Sequence, residues 1–191
     1  MKQEKLPLEM SERVKLHLGC GPVDFGKGWL QIDQKEWPHA CKGDVSRLPI
    51  YGGGADLIYA SHVLEYFDWT EVLDVLRSWN EALKPGGKLM VAVPDFEALS
   101  MLYREGNAAL TQLLGPLYGK MGEPPIYHKM AYDYSTLHQV LRMADFHRAD
   151  RVGKYSWVWH ANVDSEKIND GSLAHIGGVG VSLNVIAYKR Q

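Results

Sequence analysis

Residues 14–21 decide the fold, and they read Val-Lys-Leu-His-Leu-Gly-Cys-Gly. Apolar and polar side chains alternate from Val14 to Leu18, and Gly19-Cys20-Gly21-Pro22 then ends the alternation. The pattern predicts a strand that runs into a tight turn. Two glycines in such a turn let a ligand approach the backbone closely, and they expose amide groups to an anionic part of it.

Four more segments are predicted to be strands, at 29–32, 55–60, 88–93 and 181–188. The segment at 88–93 is apolar throughout, which is typical of a strand buried on both faces of a parallel sheet. Asp33 directly follows the strand at 29–32, so its carboxylate is predicted to lie at the carboxyl end of that strand.

Helices are predicted after Asp68, at 96–104 and at 135–143. Asp68 and Glu71 resemble a capping box, and Ser135 is a candidate N-cap for the last helix. Apolar residues follow Asp68 at helical spacing: Val72, Val75, Leu76, Trp79 and Leu83. Strands that alternate with helices predict a mostly parallel α/β sheet, in which ligands bind at the carboxyl ends of the strands.

The glycine turn departs from the dinucleotide-binding pattern G-x-G-x-x-G, because Asp24 stands in the place of the third glycine. This argues against a nicotinamide or flavin cofactor. It favours a ligand that has one nucleoside and no pyrophosphate. Asp33 is suitably placed to accept hydrogen bonds from two ribose hydroxyls.

Several segments together resemble the class I S-adenosylmethionine-dependent methyltransferases, and in particular small bacterial predicted methyltransferases of uncertain substrate. The resemblance covers most of residues 14–95, and 128–146 and 182–189 resemble the last part of that group. The segments that carry it are Val14–Gly21, Gly28–Asp33, Gly43-Asp44-Val45 with Leu48-Pro49, Asp56–Tyr66 and Leu83–Leu89.

The resemblance implies a Rossmann-like α/β fold, with a mostly parallel seven-stranded sheet flanked by helices, and S-adenosyl-L-methionine as the cofactor. It assigns the glycine turn to the methionine part of the cofactor, an acid to the ribose, an acid and an apolar residue to the adenine, and two residues to the sulfonium. The residues concerned are, in that order, Gly19, Cys20 and Gly21; Asp33; Asp44 and Val45; Ser61 and His62.

Two positions depart from the family pattern. Only the seven residues of Pro22–Gly28 separate Gly21 from Trp29, so the usual first helix cannot fit there at full length. Asp145 stands where the family usually has glycine, and aspartate tolerates the left-handed backbone conformation.

Three residues are candidates for catalysis. His62 follows a strand end and is a candidate base, although it could instead cap the next segment. Asp95 faces the same edge of the sheet, although an N-cap for the helix at 96–104 is the preferred interpretation. His128, with Tyr127, Tyr132 and Tyr134, could line an acceptor pocket or belong to a solvated loop. Trp157, Trp159 and His160 could stack on a sugar, but ordinary packing is favoured.

Length and composition predict one domain over residues 1–191, with a loose lead-in at 1–12 and a lid-like insert at about 96–134. The net charge of −2 gives no basic footprint for nucleic acid. Cys20 and Cys41 are predicted to be reduced. We find no signal core and no apolar span, so we expect a cytoplasmic protein that does not bind membranes.

The methyl acceptor is predicted to be a small molecule or a sugar, and no metal is required. The sequence does not indicate an oligomeric state. Three alternatives remain open: a protein that binds S-adenosylmethionine without turnover, a nucleotide-dependent oxidoreductase, and an interaction domain that binds neither ligand.

Overall fold

A seven-stranded sheet organises the chain in the computed structural model, which describes residues 14–48, 54–120, 126–152, 175–176 and 179–191. Its strands, in chain order, are β1 (Lys15–Leu18), β2 (Trp29–Asp33), β3 (Cys41–Lys42), β4 (Ala55–Ser61), β5 (Leu83–Pro94), β8 (Phe146–Arg151) and β11 (Ser182–Lys189). Two short hairpins pair β6 (Gly119–Lys120) with β7 (Ile126–Tyr127), and β9 (His175–Ile176) with β10 (Val179–Gly180).

The strand order across the sheet is β3-β2-β1-β4-β5-β11-β8. Every pair from β3 to β5 is parallel, whereas β11 runs antiparallel to both of its neighbours. The predicted mostly parallel sheet of seven strands is therefore confirmed. Strand order reverses at β1, where β2 and β3 lie on one side and β4 and β5 lie on the other, and ligands bind at such a point in open α/β sheets.

The helices are α1 (Val72–Ala82), α2 (Phe96–Arg104), α3 (Leu110–Tyr118) and α4 (Tyr134–Met143), together with a 3₁₀ turn at Leu64–Tyr66. The capping box before α1 is confirmed, because the Asp68 amide donates to Glu71 and the Asp68 carboxylate accepts from the Glu71 amide. The N-cap of α4 is Asp133, which accepts from the Thr136 amide at 2.7 Å. The prediction that Ser135 caps this helix is therefore wrong.

Helices α1 and α4 cover one face of the sheet, and Trp79 is fully buried in the core between them and the strands. On the opposite face, the loop between β1 and β2 contains no helix, in agreement with the seven-residue spacing. In place of a helix, Phe25 stacks on His17 with ring centroids 3.8 Å apart and packs near Trp29 and Tyr59. One aromatic side chain thus shields apolar sheet surface.

Polar bonds hold this short loop in place. Gln31 on β2 accepts from the Phe25 amide at 3.0 Å and donates to Asp24 at 2.7 Å. Asp24, which replaces the third glycine of the dinucleotide pattern, therefore has a structural role in the loop. Asp145, which directly precedes β8, has a backbone φ of 65°. This is the left-handed conformation expected where the family usually has glycine.

The insert between β5 and α4 contains α2, α3 and the β6–β7 hairpin. Within the described residues, no helix is long and apolar enough to cross a membrane. Both cysteines are free thiols, as predicted. The predictions for 1–12 and for Trp157, Trp159 and His160 fall outside the described residues.

Candidate functional site

A cleft of about 1020 Å³ opens at the carboxyl ends of β1, β2 and β4. Six residues that the sequence assigned to cofactor binding line it: Gly19, Gly21, Asp33, Asp44, Val45 and His62. The structure therefore brings the glycine turn, both acids and the histidine to one cavity, although they come from four separate segments. Cys20 and Ser61 do not line the cleft.

Asp33 joins two of these segments. One carboxylate oxygen accepts from the Gly21 amide at 2.9 Å, and the other accepts from the Lys35 amide at 2.8 Å. Each carboxylate oxygen can accept more than one hydrogen bond, so both keep acceptor capacity for a ligand. The carboxylate is thus fixed by backbone groups at the wall of the cleft.

The segment that carries Asp44 and Val45 is held by helix α1. The indole Nε1 of Trp79 donates to the Val45 carbonyl oxygen at 2.7 Å, and the Ser78 hydroxyl accepts from the Leu48 amide at 2.8 Å. Sequence reasoning assigned Trp79 only to the apolar stripe of the helix. Its polar contact, across 34 positions of sequence, supports a wall of the cleft.

His62 has a left-handed backbone with a φ of 55°, which is uncommon for a residue other than glycine. Its Nδ1 lies 3.1 Å from Oε1 of Glu65, and its Nε2 lies 2.9 Å from the Ser182 hydroxyl. Both ring nitrogens therefore have partners, while the side chain remains 11% exposed beside the cleft.

Glu65 is completely buried, and its Oε2 has no hydrogen-bond partner among the described residues. Its Oε1 lies between His62 and Nε2 of His128, which is 3.9 Å away. Burial and the Glu65 carboxylate raise the pKa of the Tyr66 and Tyr132 hydroxyls. The sequence analysis did not identify Glu65 as the partner of two histidines.

A family model described as a methyltransferase domain matches residues 16–91, from β1 into β5. Residues 16–91 are thus similar to a methyltransferase domain. The match bears out the predicted methyltransferase class of enzyme. Together with the S-adenosylmethionine-dependent methyltransferases among the solved structures, it supports S-adenosyl-L-methionine as the cofactor. No curated protein sequence gives a significant match.

Solved structures share the fold at low identity. A protein from Thermotoga maritima, titled an S-adenosylmethionine-dependent methyltransferase and a possible histamine N-methyltransferase, is 18% identical with a TM-score of 0.58, covering 97% of this chain and 84% of that one. A methyltransferase from Archaeoglobus fulgidus is 17% identical with a TM-score of 0.55, covering 94% and 87%. A possible exported protein from Bordetella parapertussis is 17% identical with a TM-score of 0.57, covering 94% of this chain and 63% of that one.

Two residues predicted for the site, Cys20 and Ser61, have side chains that do not line the cleft. Cys20 is 3% exposed, and burial, with smaller contributions from Asp33 and Asp24, raises the pKa of its thiol to about 11. The hydroxyl of Ser61 is buried and has no hydrogen-bond partner among the described residues. Neither side chain is presented to the cavity.

Asp95 is fully buried at the N-cap of α2, where its carboxylate accepts from the amides of Glu97 and Ala98. Its second oxygen accepts from Arg151 at 2.7 Å. Burial raises the pKa of this carboxyl, and the Arg151 guanidinium opposes the shift. The structure therefore gives Asp95 the capping role preferred from the sequence, and it does not bring Asp95 to the cleft as a catalytic group.

His128 and the tyrosines grouped with it in the sequence analysis lie in different environments in the structure. These tyrosines are Tyr127, Tyr132 and Tyr134. Nδ1 of His128 donates to the Pro116 carbonyl, and the ring lies behind the cleft wall. Tyr127 lines the cleft and is 57% exposed, whereas Tyr132 is fully buried. The Tyr134 hydroxyl donates to the Ala149 carbonyl. Of this group, only Tyr127 is therefore placed to contact an acceptor.

The rest of the cleft wall combines aromatic and charged side chains. Tyr66, Phe67 and Trp37 contribute rings. Lys129, from the insert, pairs with Glu71 at 2.8 Å, and this bond lowers the pKa of the Glu71 carboxyl. No cluster of three or more metal-ligating side chains occurs within the described residues.

Proposed function

We propose that the protein transfers a methyl group from S-adenosylmethionine to a small molecule or a sugar, with cofactor and acceptor sharing the cleft at the end of β1, β2 and β4. The observation that carries the proposal is the position of Asp33. A carboxylate fixed by the Gly21 and Lys35 amides lies on the wall of a cavity that also contains the glycine turn.

The donor set fits an adenosyl group with an amino-acid tail. Asp33 offers acceptors to the ribose hydroxyls, and Asp44 offers an acceptor to the adenine amino group while Val45 provides an apolar surface for the ring. At Gly21, an added Cβ would meet no atom within 4 Å, so the space above this turn is open to a ligand. Cys20 contributes backbone rather than side chain to the same turn.

Bound S-adenosylmethionine supplies a methyl group already activated by a positive sulfur, so the protein chiefly positions the acceptor. Holding two reactants in line can account for about 7–11 kcal/mol of a barrier. A base is needed when the acceptor atom carries a proton. Of the three candidates from the sequence, His62 lines the cleft, whereas Asp95 and His128 do not, and we assign the role of base to His62.

A small acceptor suits the size of the cavity. About 1020 Å³ is at the upper end of the range for sites of small ligands, which leaves room for a nucleoside and a modest acceptor. Tyr66 and Tyr127 provide flat surfaces for a ring or a sugar. A structural neighbour from Burkholderia thailandensis is titled a 1,6-didemethyltoxoflavin N1-methyltransferase and contains that compound, at 14% identity.

A protein partner is the alternative that one neighbour favours. A methyltransferase from Haloferax volcanii, 15% identical with a TM-score of 0.56, was solved in complex with an activator, Trm112. A cytoplasmic location and the absence of nucleic acid and membrane partners remain predictions from composition.

A thermal-shift screen with S-adenosylmethionine, S-adenosylhomocysteine, NAD and ATP tests the cofactor, because a ligand of the native state raises the melting temperature. We expect a shift with the two adenosyl-sulfur compounds only. A shift with NAD instead would favour an oxidoreductase. Cofactor binding without methylated product from any pool of small acceptors would favour binding without turnover.

A further inference from the structure

We infer that His39 is a positioning residue for the cofactor, because its Nε2 donates to the Gly21 carbonyl and so holds the glycine turn in the shape that receives the amino-acid tail of S-adenosylmethionine. The inference rests on the proposed function, in which this turn lies at the methionine part of the cofactor. His39 itself does not line the cleft, so it acts through the turn.

Hydrogen bonds, and not packing, fix the position of Gly21. Its backbone has a left-handed φ of 54°, and an added Cβ would meet no atom within 4 Å. Glycine adopts positive and negative φ values about equally readily, so the chain itself does not select this conformation. Gly19 differs, because a Cβ there would overlap the side chain of Val63. The bonds to the backbone groups of Gly21 therefore decide where the second glycine of the turn lies.

Both backbone groups of Gly21 are bonded by the loop that follows β2. The Asp33 carboxylate accepts from the Gly21 amide, and Nε2 of His39 lies 3.2 Å from the Gly21 carbonyl oxygen. Together the two bonds hold the peptide groups on either side of the Gly21 Cα. The end of this loop is fixed as well, because the Gly43 amide donates to the Asp33 carbonyl at 2.8 Å.

The chemistry of the partners gives the direction of the bond from His39. A carbonyl oxygen only accepts, so Nε2 is the nitrogen that carries the hydrogen. The sulfur of Cys20 lies 3.9 Å from the same nitrogen, and a thiol is a weak partner at that distance. Nδ1 of His39 has no hydrogen-bond partner among the described residues. A neutral ring with its hydrogen on Nε2 therefore satisfies every contact of this side chain.

A β-turn fixes the ring of His39. The Ala40 amide donates to the Trp37 carbonyl at 3.2 Å, and Pro38 occupies the second position of the turn, where its fixed φ is favoured. The imidazole lies at 28° to the Trp37 indole, with ring centroids 6.3 Å apart. Trp37 lines the cleft. One short loop thus connects a ring of the cleft wall to the glycine turn.

The effect of His39 is expected to be specific to ligands with an amino-acid tail. Without its donor, Gly21 keeps one bond of two, and binding must then order the turn at an entropic cost. The Lys35 amide still holds Asp33, which faces the ribose in the proposed function. Asp44 and Val45, proposed for the adenine, have no printed bond to His39 and are held from helix α1. The adenosine part should therefore bind as before.

Calorimetry with S-adenosylhomocysteine and with methylthioadenosine, which has a methyl group in place of the amino-acid tail, tests the inference in the whole protein. His39→Phe keeps a ring beside Trp37 but has no donor. We expect its affinity for S-adenosylhomocysteine to fall about fivefold, as the loss of one hydrogen bond would produce. Its affinity for methylthioadenosine, measured by competition, should match the wild type. In His39→Gln, whose amide still donates, we expect most of the affinity for S-adenosylhomocysteine to be kept.

His147→Phe is the matched control. Nδ1 of His147 lies 2.9 Å from the Tyr188 carbonyl oxygen, which is the same kind of contact between a histidine ring and a backbone carbonyl, but neither residue lines the cleft. We expect both affinities of this variant to match the wild type.

The inference is overturned if His39→Phe binds S-adenosylhomocysteine as tightly as the wild type, or if His39→Gln loses as much affinity as His39→Phe. Equal losses for both compounds would also overturn it, since a merely structural role weakens both. If His39→Phe does not fold, nitrogen NMR of the wild-type ring decides: a hydrogen on Nε2 supports the inference, and a bare Nε2 rejects it. A wild type that binds neither compound would reject the proposed function instead.

Discussion

The carboxylate of Asp33 accepts a hydrogen bond of 2.9 Å from the amide of Gly21, and this bond joins the end of β2 to the turn after β1. Because the Lys35 amide holds the other oxygen, the side chain is fixed before a ligand binds. Preorganisation of this kind lowers the entropy that binding must overcome.

Replacing Asp33 with alanine is expected to weaken the binding of S-adenosylmethionine by about 1–3 kcal/mol, because a charge-assisted acceptor is lost. Isothermal calorimetry measures the change. Asp33→Asn, which keeps one acceptor oxygen but no charge, is expected to lose less. Asp150→Ala removes an acid of β8 that pairs with Arg148 and does not line the cleft, so its affinity should match the wild type. An affinity unchanged in folded Asp33→Ala would remove Asp33 from the site.

The two glycines of the turn differ in the space around them, although both have a positive φ. A Cβ at Gly19 would overlap Cγ2 of Val63, whereas a Cβ at Gly21 would meet nothing. We expect Gly21→Ala to cost about 1–2 kcal/mol of stability from backbone strain, and Gly19→Ala to cost about 1–3 kcal/mol more from overlap. Urea unfolding measures both.

Shortening Val63 to alanine provides the control. In that background, the extra cost of Gly19→Ala should largely disappear, because the overlapping methyl group is gone, and a double-mutant cycle extracts the coupling. Equal costs at Gly19 and Gly21 in the wild-type background would contradict the close approach of Val63 to the turn.

Trp79→Phe removes the donor to the Val45 carbonyl and leaves that buried oxygen unsatisfied. We expect a loss of about 2–4 kcal/mol of stability from the missing bond and the smaller ring together. Amide exchange should accelerate at residues 43–48. Trp69 is 51% exposed, so Trp69→Phe should change stability by less than about 0.5 kcal/mol. Normal exchange at 43–48 in Trp79→Phe would show that the helix does not support this segment.

The stability that the Asp133 N-cap contributes to helix α4 depends on pH. The hydrogen bond from the Thr136 amide lowers the pKa of the Asp133 carboxyl in the folded protein. Its contribution is therefore complete above the ordinary range near pH 4 and is lost as the pH falls through the lowered value. Asp133→Ala should cost about 1 kcal/mol at pH 7, and the difference from wild type should narrow in acid.

Two further variants separate the N-cap from other effects of the substitution. Asparagine caps helices about as well as aspartate, so Asp133→Asn should retain most of the stability at pH 7. Ser135→Ala should change stability by less than about 0.5 kcal/mol, because Ser135 lies within the helix. Thermal unfolding at several pH values measures all three, and a large loss in Ser135→Ala would reassign the cap.

Local sequence patterns correctly predicted those helices and strands whose own residues show a clear periodicity or cap. The helix at 96–104 matches α2 at both ends, and the alternation at 14–18 gave the first strand. The N-cap of α4 was missed because Asp133 and Ser135 are both good caps. The choice depends on Tyr132, which bridges Asp95 at the end of β5 and so fixes where the helix begins.

Elements and contacts that depend on residues distant in the sequence could not be predicted from local patterns. Strand β8 reads Phe-His-Arg-Ala-Asp-Arg, a polar stretch that becomes a strand by pairing with β11. In the site, Asp33 and His62 were predicted to lie at one edge of the sheet because each directly follows a predicted strand. The same pattern could not reveal Ser182, which reaches His62 across 120 positions, or the contact of Trp79 with Val45.

Strand β11 lies between β5 and β8 in the sheet, although it follows both along the chain. During synthesis on the ribosome, the two earlier strands would therefore have no bridge between them until residues 182–189 emerge. Pairing over such distances in sequence is slow and leaves strand edges open to other chains. Until this strand is in place, one edge of β5 therefore stays unpaired and can pair with another chain.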